Sequence, residues 1–209
     1  MRQATWRSCL PDRVRRCGVD APSGSDPGSA SGLTFGATNR HLADWLREPA
    51  SLTARLQRCG TFRVALLQQR AGRANADELA AFGLDGAGNV RRRRFWVREV
   101  VLHSKGVPVV FAHTVLPVVP RGVLSRWFAR LGSRSLGSLL FAHPGFRRGP
   151  LRFAAIVPGH PLYAPAASAL GVSPAAFQAR RCVHRFRSQR VLVTEVFSPE
   201  IGHGASAPR

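Results

Sequence analysis

The chain has 209 residues, 44% of them hydrophobic, enough for one domain with a substantial core. Its formal net charge of +20 suits a polyanion partner. However, only Lys105 among the 31 basic residues is a lysine, and the arginines are scattered apart from residues 91–94. This distribution favours a solvated basic surface over a polyanion-binding site. The four cysteines lack zinc-site spacing, and neither a membrane span nor the apolar core of a secretory signal is present, so we expect a cytoplasmic protein with reduced thiols.

Low-complexity segments define the domain boundaries. Residues 1–33 are rich in Gly, Ser and Pro and poor in apolar side chains, which predicts a disordered N-terminal extension. Residues 202–209 have mostly small side chains, which predicts a flexible C-terminal tail. The folded domain is therefore expected to span residues 34–201.

The first part of this domain predicts helices followed by a strand. Residues 41–46 place apolar side chains at helical spacing, and Ser51 can cap a second helix over 52–58 that Gly60 ends. Residues 62–70 predict a strand. Residues 71–90 predict a loop with a short helical turn at 77–82.

The remainder predicts two antiparallel hairpins separated by helices. Residues 94–103 and 107–116 form the first hairpin around a tight turn at 104–106. Two helices over 122–131 and 135–141, a strand over 150–157 and a Pro- and Ala-rich connection follow. The second hairpin pairs 179–186 with 191–197 around a four-residue turn. This order predicts an α+β fold with a single antiparallel sheet.

Strand alternation singles out two charged residues. Arg98 shares a face with Trp96 and Val100, and Glu195 shares one with Val193 and Phe197. A buried charge is costly unless it has a partner or a function. The two could form a structural ion pair or belong to a functional site, and a guanidinium suits bidentate capture of a carboxylate.

Three further positions have weaker signals. His113 lies within an apolar row of the first hairpin and fits a hydrogen-bonded core histidine. Glu99 is expected on the surface against the scattered arginines. Leu136 opens a helix after a Gly- and Ser-containing turn, where free backbone N–H groups can bind a carboxylate.

Several segments in this order resemble the chorismate lyase family. They are Phe95-Trp-Val-Arg-Glu-Val, the stretch from Gly106 to Pro117, Ser135-Leu-Gly-Ser-Leu-Leu-Phe141, Ala179-Arg-Arg and Leu192-Val-Thr-Glu-Val-Phe-Ser-Pro199. The resemblance covers roughly residues 40–200. It implies a sheet of about six strands with helices on one side and a ligand enclosed under helical flaps.

The resemblance also implies site residues and a reaction. The family's substrate-binding arginine falls on Arg98, its essential glutamate on Glu195, its backbone ligand contact on Leu136 and an apolar flap residue on Leu52. Some members have arginine at the position of His113. The implied reaction splits chorismate into 4-hydroxybenzoate and pyruvate, without metal or other cofactor, in a monomer that supplies ubiquinone synthesis.

Two other functions stay open at this stage. The first is a non-catalytic domain of the same fold that senses a small carboxylate, although residues 1–33 are too short and polar for the DNA-binding domain that usually precedes one. The second is a basic nucleic-acid-binding protein, which predicts exposed aromatic residues. Because Phe95, Trp96, Phe111 and Phe197 lie in strands expected to be buried, no nucleic-acid partner is expected.

Overall fold

A computed structural model describes residues 3–8, 40–84, 93–120, 122–132, 134–137, 140 and 144–202. The predicted C-terminal tail, apart from Gly202, and residues 1–2 and 9–33 of the predicted extension lie outside the described residues. Within the extension, residues 3–8 lie against the domain: Arg7 forms an antiparallel bridge with Phe153, and the indole Nε1 of Trp6 donates to Asp77 at 2.7 Å.

The described helices are short, and strands follow the first two. They are α1 (Arg40–Arg47), α2 (Leu52–Arg58), α3 (Ala76–Ala81), α4 (Val123–Ala129) and α5 (Tyr163–Leu170), followed by a final 3-10 turn over Pro199–Gly202. Ser51 caps α2 as predicted, through its side chain and the backbone N–H of Ala54. The predicted connection at 158–177 instead contains α5, whose Ala-rich sequence favours a helix. None of these helices is long and apolar enough to cross a bilayer.

A single antiparallel sheet forms the centre of the domain, as predicted. Its strands are β1 (Phe62–Gly72), β2 (Phe95–Ser104), β3 (Val107–Pro117), β4 (Phe146–Arg148), β5 (Arg152–Ile156), β6 (Phe177–Phe186) and β7 (Gln189–Phe197). The order across the sheet is β1-β2-β3-β7-β6-β4, and β5 also pairs with β6. The two predicted hairpins are therefore neighbours through the β3–β7 pair.

Both hairpins turn in two residues. Lys105 and Gly106 have φ of +50° and +82°, as a type I′ turn requires, and Arg187 has φ of +53°. The second turn is two residues shorter than predicted, so Phe186 pairs with Gln189. This difference shifts the register of every pair between β6 and β7.

Helices cover both faces of the sheet, which corrects the expectation of helices on one side. Helices α1, α2 and α4 pack on the face that carries Val100, Ala112 and Val191. Helix α5 packs on the other face, against Phe111 and Val196, and α3 joins it there. A sheet that is apolar on both faces needs cover on both, which explains the buried pattern of β2 and β3.

Candidate active site

A cavity of about 60 Å³ lies between the sheet and the segments that contain α2 and residues 134–137. The four site residues expected from the sequence, Leu52, Arg98, Leu136 and Glu195, all line it. Its apolar wall is formed by Val64, Val100, Leu102, Ala112, Leu140 and Val193. The structure thus brings the four residues to one place, on the face of the sheet that α1, α2 and α4 cover.

Arg98 is held rigidly and is only 1% exposed. Its Nη1 donates to the side-chain oxygen of Gln69 at 2.9 Å and to the carbonyl of Gly132 at 2.6 Å, and its Nη2 donates to the carbonyl of Arg134 at 3.0 Å. Burial lowers the pKa of this guanidinium below its usual value, but an arginine side chain remains cationic in a protein. Among the described residues, its Nε and one Nη2 hydrogen have no acceptor.

Glu195 pairs with Arg180 rather than with Arg98. The Nε of Arg180 donates to Oε2 of Glu195 at 2.5 Å, because the two residues are directly opposite each other in β6 and β7. Arg98 lies two strands away on β2, offset by two residues, which places its Cα about 10 Å or more from that of Glu195. The alternative in which these two charges form a structural pair is therefore wrong.

Arg180 also links the carboxylate to helix α1. Its Nη1 donates to the carbonyl oxygens of Trp45, Leu46 and Glu48 at 3.3, 3.2 and 2.9 Å. These carbonyls lie at the C-terminal end of α1, where the helix dipole favours a cation. Oε2 of Glu195 is thus fixed by a side chain that is itself anchored at both ends, whereas Oε1 accepts no hydrogen bond from the described residues.

Sequence reasoning did not identify Arg180 as a site residue. The Ala179-Arg-Arg segment contributed to the family resemblance, but no role was attached to it. A two-residue turn at 187–188 would have placed Arg180 opposite Glu195, whereas the expected four-residue turn places Cys182 there. The signal was therefore the length of the turn, in which Arg187 adopts a φ of +53°.

Two short segments meet above the cavity. Thr53, in the first turn of α2, shares a hydrogen bond with Ser135, with 2.9 Å between their hydroxyl oxygens. Gly137 lies at this junction, and a Cβ on it would stand 3.0 Å from Oγ1 of Thr53. A glycine there lets the two segments close over Leu52 and Leu136.

The far wall of the cavity contains a histidine and a cysteine of β6. Burial, with a smaller contribution from the nearby Arg148, lowers the pKa of His184 to about 4, so the imidazole is neutral near pH 7. Burial raises the pKa of the Cys182 thiol, which is therefore protonated. This wall presents polar groups without net charge, apart from Arg148, which donates to the carbonyl of Pro49.

His113 lies on the opposite face of the sheet, in a buried charge network. Its Nδ1 is 3.0 Å from Oε1 of Glu99, and its Nε2 is 2.8 Å from Oε1 of Glu78. Despite burial, these carboxylates raise its pKa to about 9. Glu99 is only 8% exposed and also accepts from Gln68, so the expectation of a surface Glu99 is wrong.

The cavity presents the fixed guanidinium of Arg98, which has unused N–H donors, and the carboxylate of Glu195, which has one oxygen available as an acceptor. The apolar wall lies between them. Such a set can bind an anionic ring compound, orient it and accept a hydrogen bond or a proton from it. Phe95, Phe111 and Phe197 are fully buried, as expected, and cannot stack on bases. Trp96 is only half-buried and packs beside α4.

Comparison with known proteins places the chain in a family. The family model described as chorismate lyase matches residues 34–204. A probable chorismate pyruvate-lyase of Dechloromonas aromatica is 54% identical over 161 residues, covering 77% of this chain and 88% of the relative. One of Aromatoleum aromaticum is 43% identical over 165 residues, covering 77% and 85%.

A solved structure supports the fold independently. The effector domain of PhnF from Mycobacterium smegmatis superposes with a TM-score of 0.51 at 18% identity, covering 73% of this chain and 90% of that domain. At this identity the likeness concerns the fold alone, whereas the family match and the two relatives concern the sequence itself. The chain belongs to the chorismate lyase family.

Proposed function

We propose that this protein is a chorismate lyase, which splits chorismate into 4-hydroxybenzoate and pyruvate. The observation that carries the proposal is the placement of Arg98 and Glu195 at separate points of one cavity, each with unused hydrogen-bonding capacity. Chorismate has a ring carboxylate and a second carboxylate on its enolpyruvyl ether. A site for it needs a carboxylate-binding cation at a distance from the group that acts at the ether.

Arg98 is the carboxylate-binding group in this proposal. Its three internal hydrogen bonds fix the guanidinium plane before substrate arrives, so little side-chain entropy is lost on binding. The Nε hydrogen and the remaining Nη2 hydrogen can donate to the two oxygens of one carboxylate. We assign the ring carboxylate to Arg98, because this group remains in 4-hydroxybenzoate.

Glu195 is the group that acts at the ether. Arg180 holds its Oε2, so Oε1 has a fixed position as an acceptor facing the cavity. In the reaction the ring-to-ether C–O bond breaks, the ring loses a proton and becomes aromatic, and the enolpyruvyl methylene gains a proton to give pyruvate. Glu195 either accepts and passes on that proton or orients the ether for direct transfer.

The segments that cover the cavity exclude water from this step. Leu52 is 3% exposed, and the Thr53–Ser135 hydrogen bond joins the two covering segments. Because aromatisation drives the reaction, orientation and proton handling suffice, and the proposal includes no metal or other cofactor. We also propose that the enzyme acts as a cytoplasmic monomer and supplies ubiquinone synthesis.

An ultraviolet assay of 4-hydroxybenzoate formation from chorismate tests the proposal. Arg98→Ala should raise KM about 100-fold, since a bidentate charged contact is lost. Glu195→Gln should abolish turnover but still bind 4-hydroxybenzoate. Glu200→Gln, at an exposed carboxylate, is the matched control and should retain wild-type rates. Absence of product with wild-type protein at saturating chorismate, or full activity of Glu195→Gln, would refute the assignment.

A further inference from the structure

A second concave surface lies on the face of the sheet opposite to the active site. Arg147 of β4, Arg152 of β5, Arg181 and Arg185 of β6 and Arg190 of β7 line this groove, which has a volume of about 600 Å³. We call these five residues and the space between them the arginine groove. Four of the five are exposed, and Arg181 is half-buried beneath Trp6, with its guanidinium carbon 4.1 Å from the indole centroid.

The register of the strands places these arginines directly opposite one another. Arg185 is the register partner of Arg147 on one side and of Arg190 on the other, so three arginine residues form a row across adjacent strands. Arg152 pairs with Arg181 in a second row, four residues along β6. With strands about 4.8 Å apart, the first row spans about 10 Å between its outer Cα atoms.

Little in the described part of the chain balances this charge. Among the described residues, the groove contains a single ion pair, from Arg181 to Asp77 at 3.1 Å. Arg190 donates to the carbonyl of Phe82 at 2.8 Å, which orients the guanidinium but does not neutralise it. Like charges directly opposite each other in a sheet are destabilising. An anion bound between the rows would remove this repulsion.

We propose that the arginine groove binds a small soluble ligand with two or more phosphate groups. Each phosphate brings up to two negative charges and three strong acceptor oxygens, so two or three of them match the row better than carboxylates do. The volume lies within the roughly 300–1,000 Å³ typical of small-ligand sites. A membrane surface fits less well, because the exposed large apolar residues, Leu66, Leu67, Val107 and Val119, lie on or beside other strands.

This site is separate from the proposed catalysis and does not depend on it. Arg148 and Cys182 line both the groove and the active-site cavity, so neither is used in the test. Arg147 and Arg185 line the groove but not the active-site cavity, and they are register partners in β4 and β6. The double variant Arg147→Gln/Arg185→Gln removes two charges of one row, and chorismate turnover without added phosphate ligand should be unchanged.

Isothermal titration of the full chain with sodium tripolyphosphate tests the proposal. Wild-type protein should bind one ligand saturably, and affinity should fall as salt rises from about 50 to about 200 mM. The groove variant should bind at least about tenfold more weakly, since two charged contacts are lost. The matched control Arg58→Gln/Arg63→Gln removes two exposed arginines elsewhere and should stay within about twofold of wild type.

Three results would overturn the proposal. The first is the absence of saturable binding to wild-type protein whose melting curve shows it to be folded. The second is an equal loss in the control and the groove variant, which would indicate a general effect of net charge. The third is groove-dependent binding of a DNA duplex or of anionic phospholipid vesicles that tripolyphosphate does not displace, which would assign the surface to a macromolecule.

Discussion

Replacing His113 with glutamine should remove most of the alkaline loss of stability in this protein. The neighbouring Glu78 and Glu99 raise the pKa of the buried imidazole to about 9, against 6.5 for an ordinary histidine. At about 1.4 kcal/mol for each tenfold change in proton affinity, this difference is worth about 3 kcal/mol. That is a large part of the free energy of unfolding of a typical domain.

The sign follows from the direction of the shift. Because the folded-state pKa is higher than the unfolded-state value, the stabilisation is complete below pH 6.5. It is lost as the pH rises through about 9, where the folded protein also gives up the proton. Glu99 acts in the opposite sense: contacts with His113 and Gln68 lower its pKa despite burial, so its contribution is lost as the solution is acidified below 4.5.

Urea unfolding at pH 7 and at about pH 9.5 measures the effect. The free energy of unfolding of the wild type should fall by about 2–3 kcal/mol more than that of His113→Gln over this interval. His103→Gln is the control: burial lowers the pKa of His103 from 6.5, so this residue is neutral throughout the interval. Its pH dependence should equal that of the wild type.

If the free energy of unfolding changes equally with pH in the wild type and in His113→Gln, His113 is neutral in the folded protein. That result would refute the reasoning. If His113→Gln does not fold, Glu78→Gln provides the same test. Removing one carboxylate lowers the pKa of His113, so the alkaline loss should then occur at lower pH and be smaller.

Three further predictions concern the active-site cavity. Arg180→Lys should lower kcat more than it raises KM and should lower the melting temperature, because a single ammonium cannot hold both Glu195 and the end of α1. An unchanged kcat and an unchanged melting temperature would contradict the positioning role of Arg180. Gly137→Ala should raise KM severalfold by parting the covering segments, and adding Thr53→Ala, which removes the oxygen 3.0 Å from the new Cβ, should reverse part of that change in steady-state kinetics. The pKa of His184, lowered to about 4, should be visible by NMR as an imidazole that stays neutral at pH 5. Because the unfolded chain takes up the proton first, the free energy of unfolding of His184→Gln should fall less than that of the wild type between about pH 7 and about pH 5.

Local patterns were enough for most of the fold and for the candidate residues. The period-2 alternation of β2 and β7 marked Arg98 and Glu195 as charges in buried rows, and the Ser51 cap marked the start of α2. These signals are local, because side-chain direction and capping depend on residues only a few positions apart. The Lys105–Gly106 turn was predictable for the same reason, since its conformation depends on the residues of the turn itself.

Pairing across strands was decided only by the tertiary structure. Glu195 meets Arg180 and not Arg98, because the two-residue turn sets the register of the second hairpin. His113 meets Glu78 because α3 packs on the far face, which alternation within β3 cannot show. The arginine rows likewise depend on which strands are neighbours. Because their arginines are far apart in the sequence, the groove could not be predicted from the sequence alone.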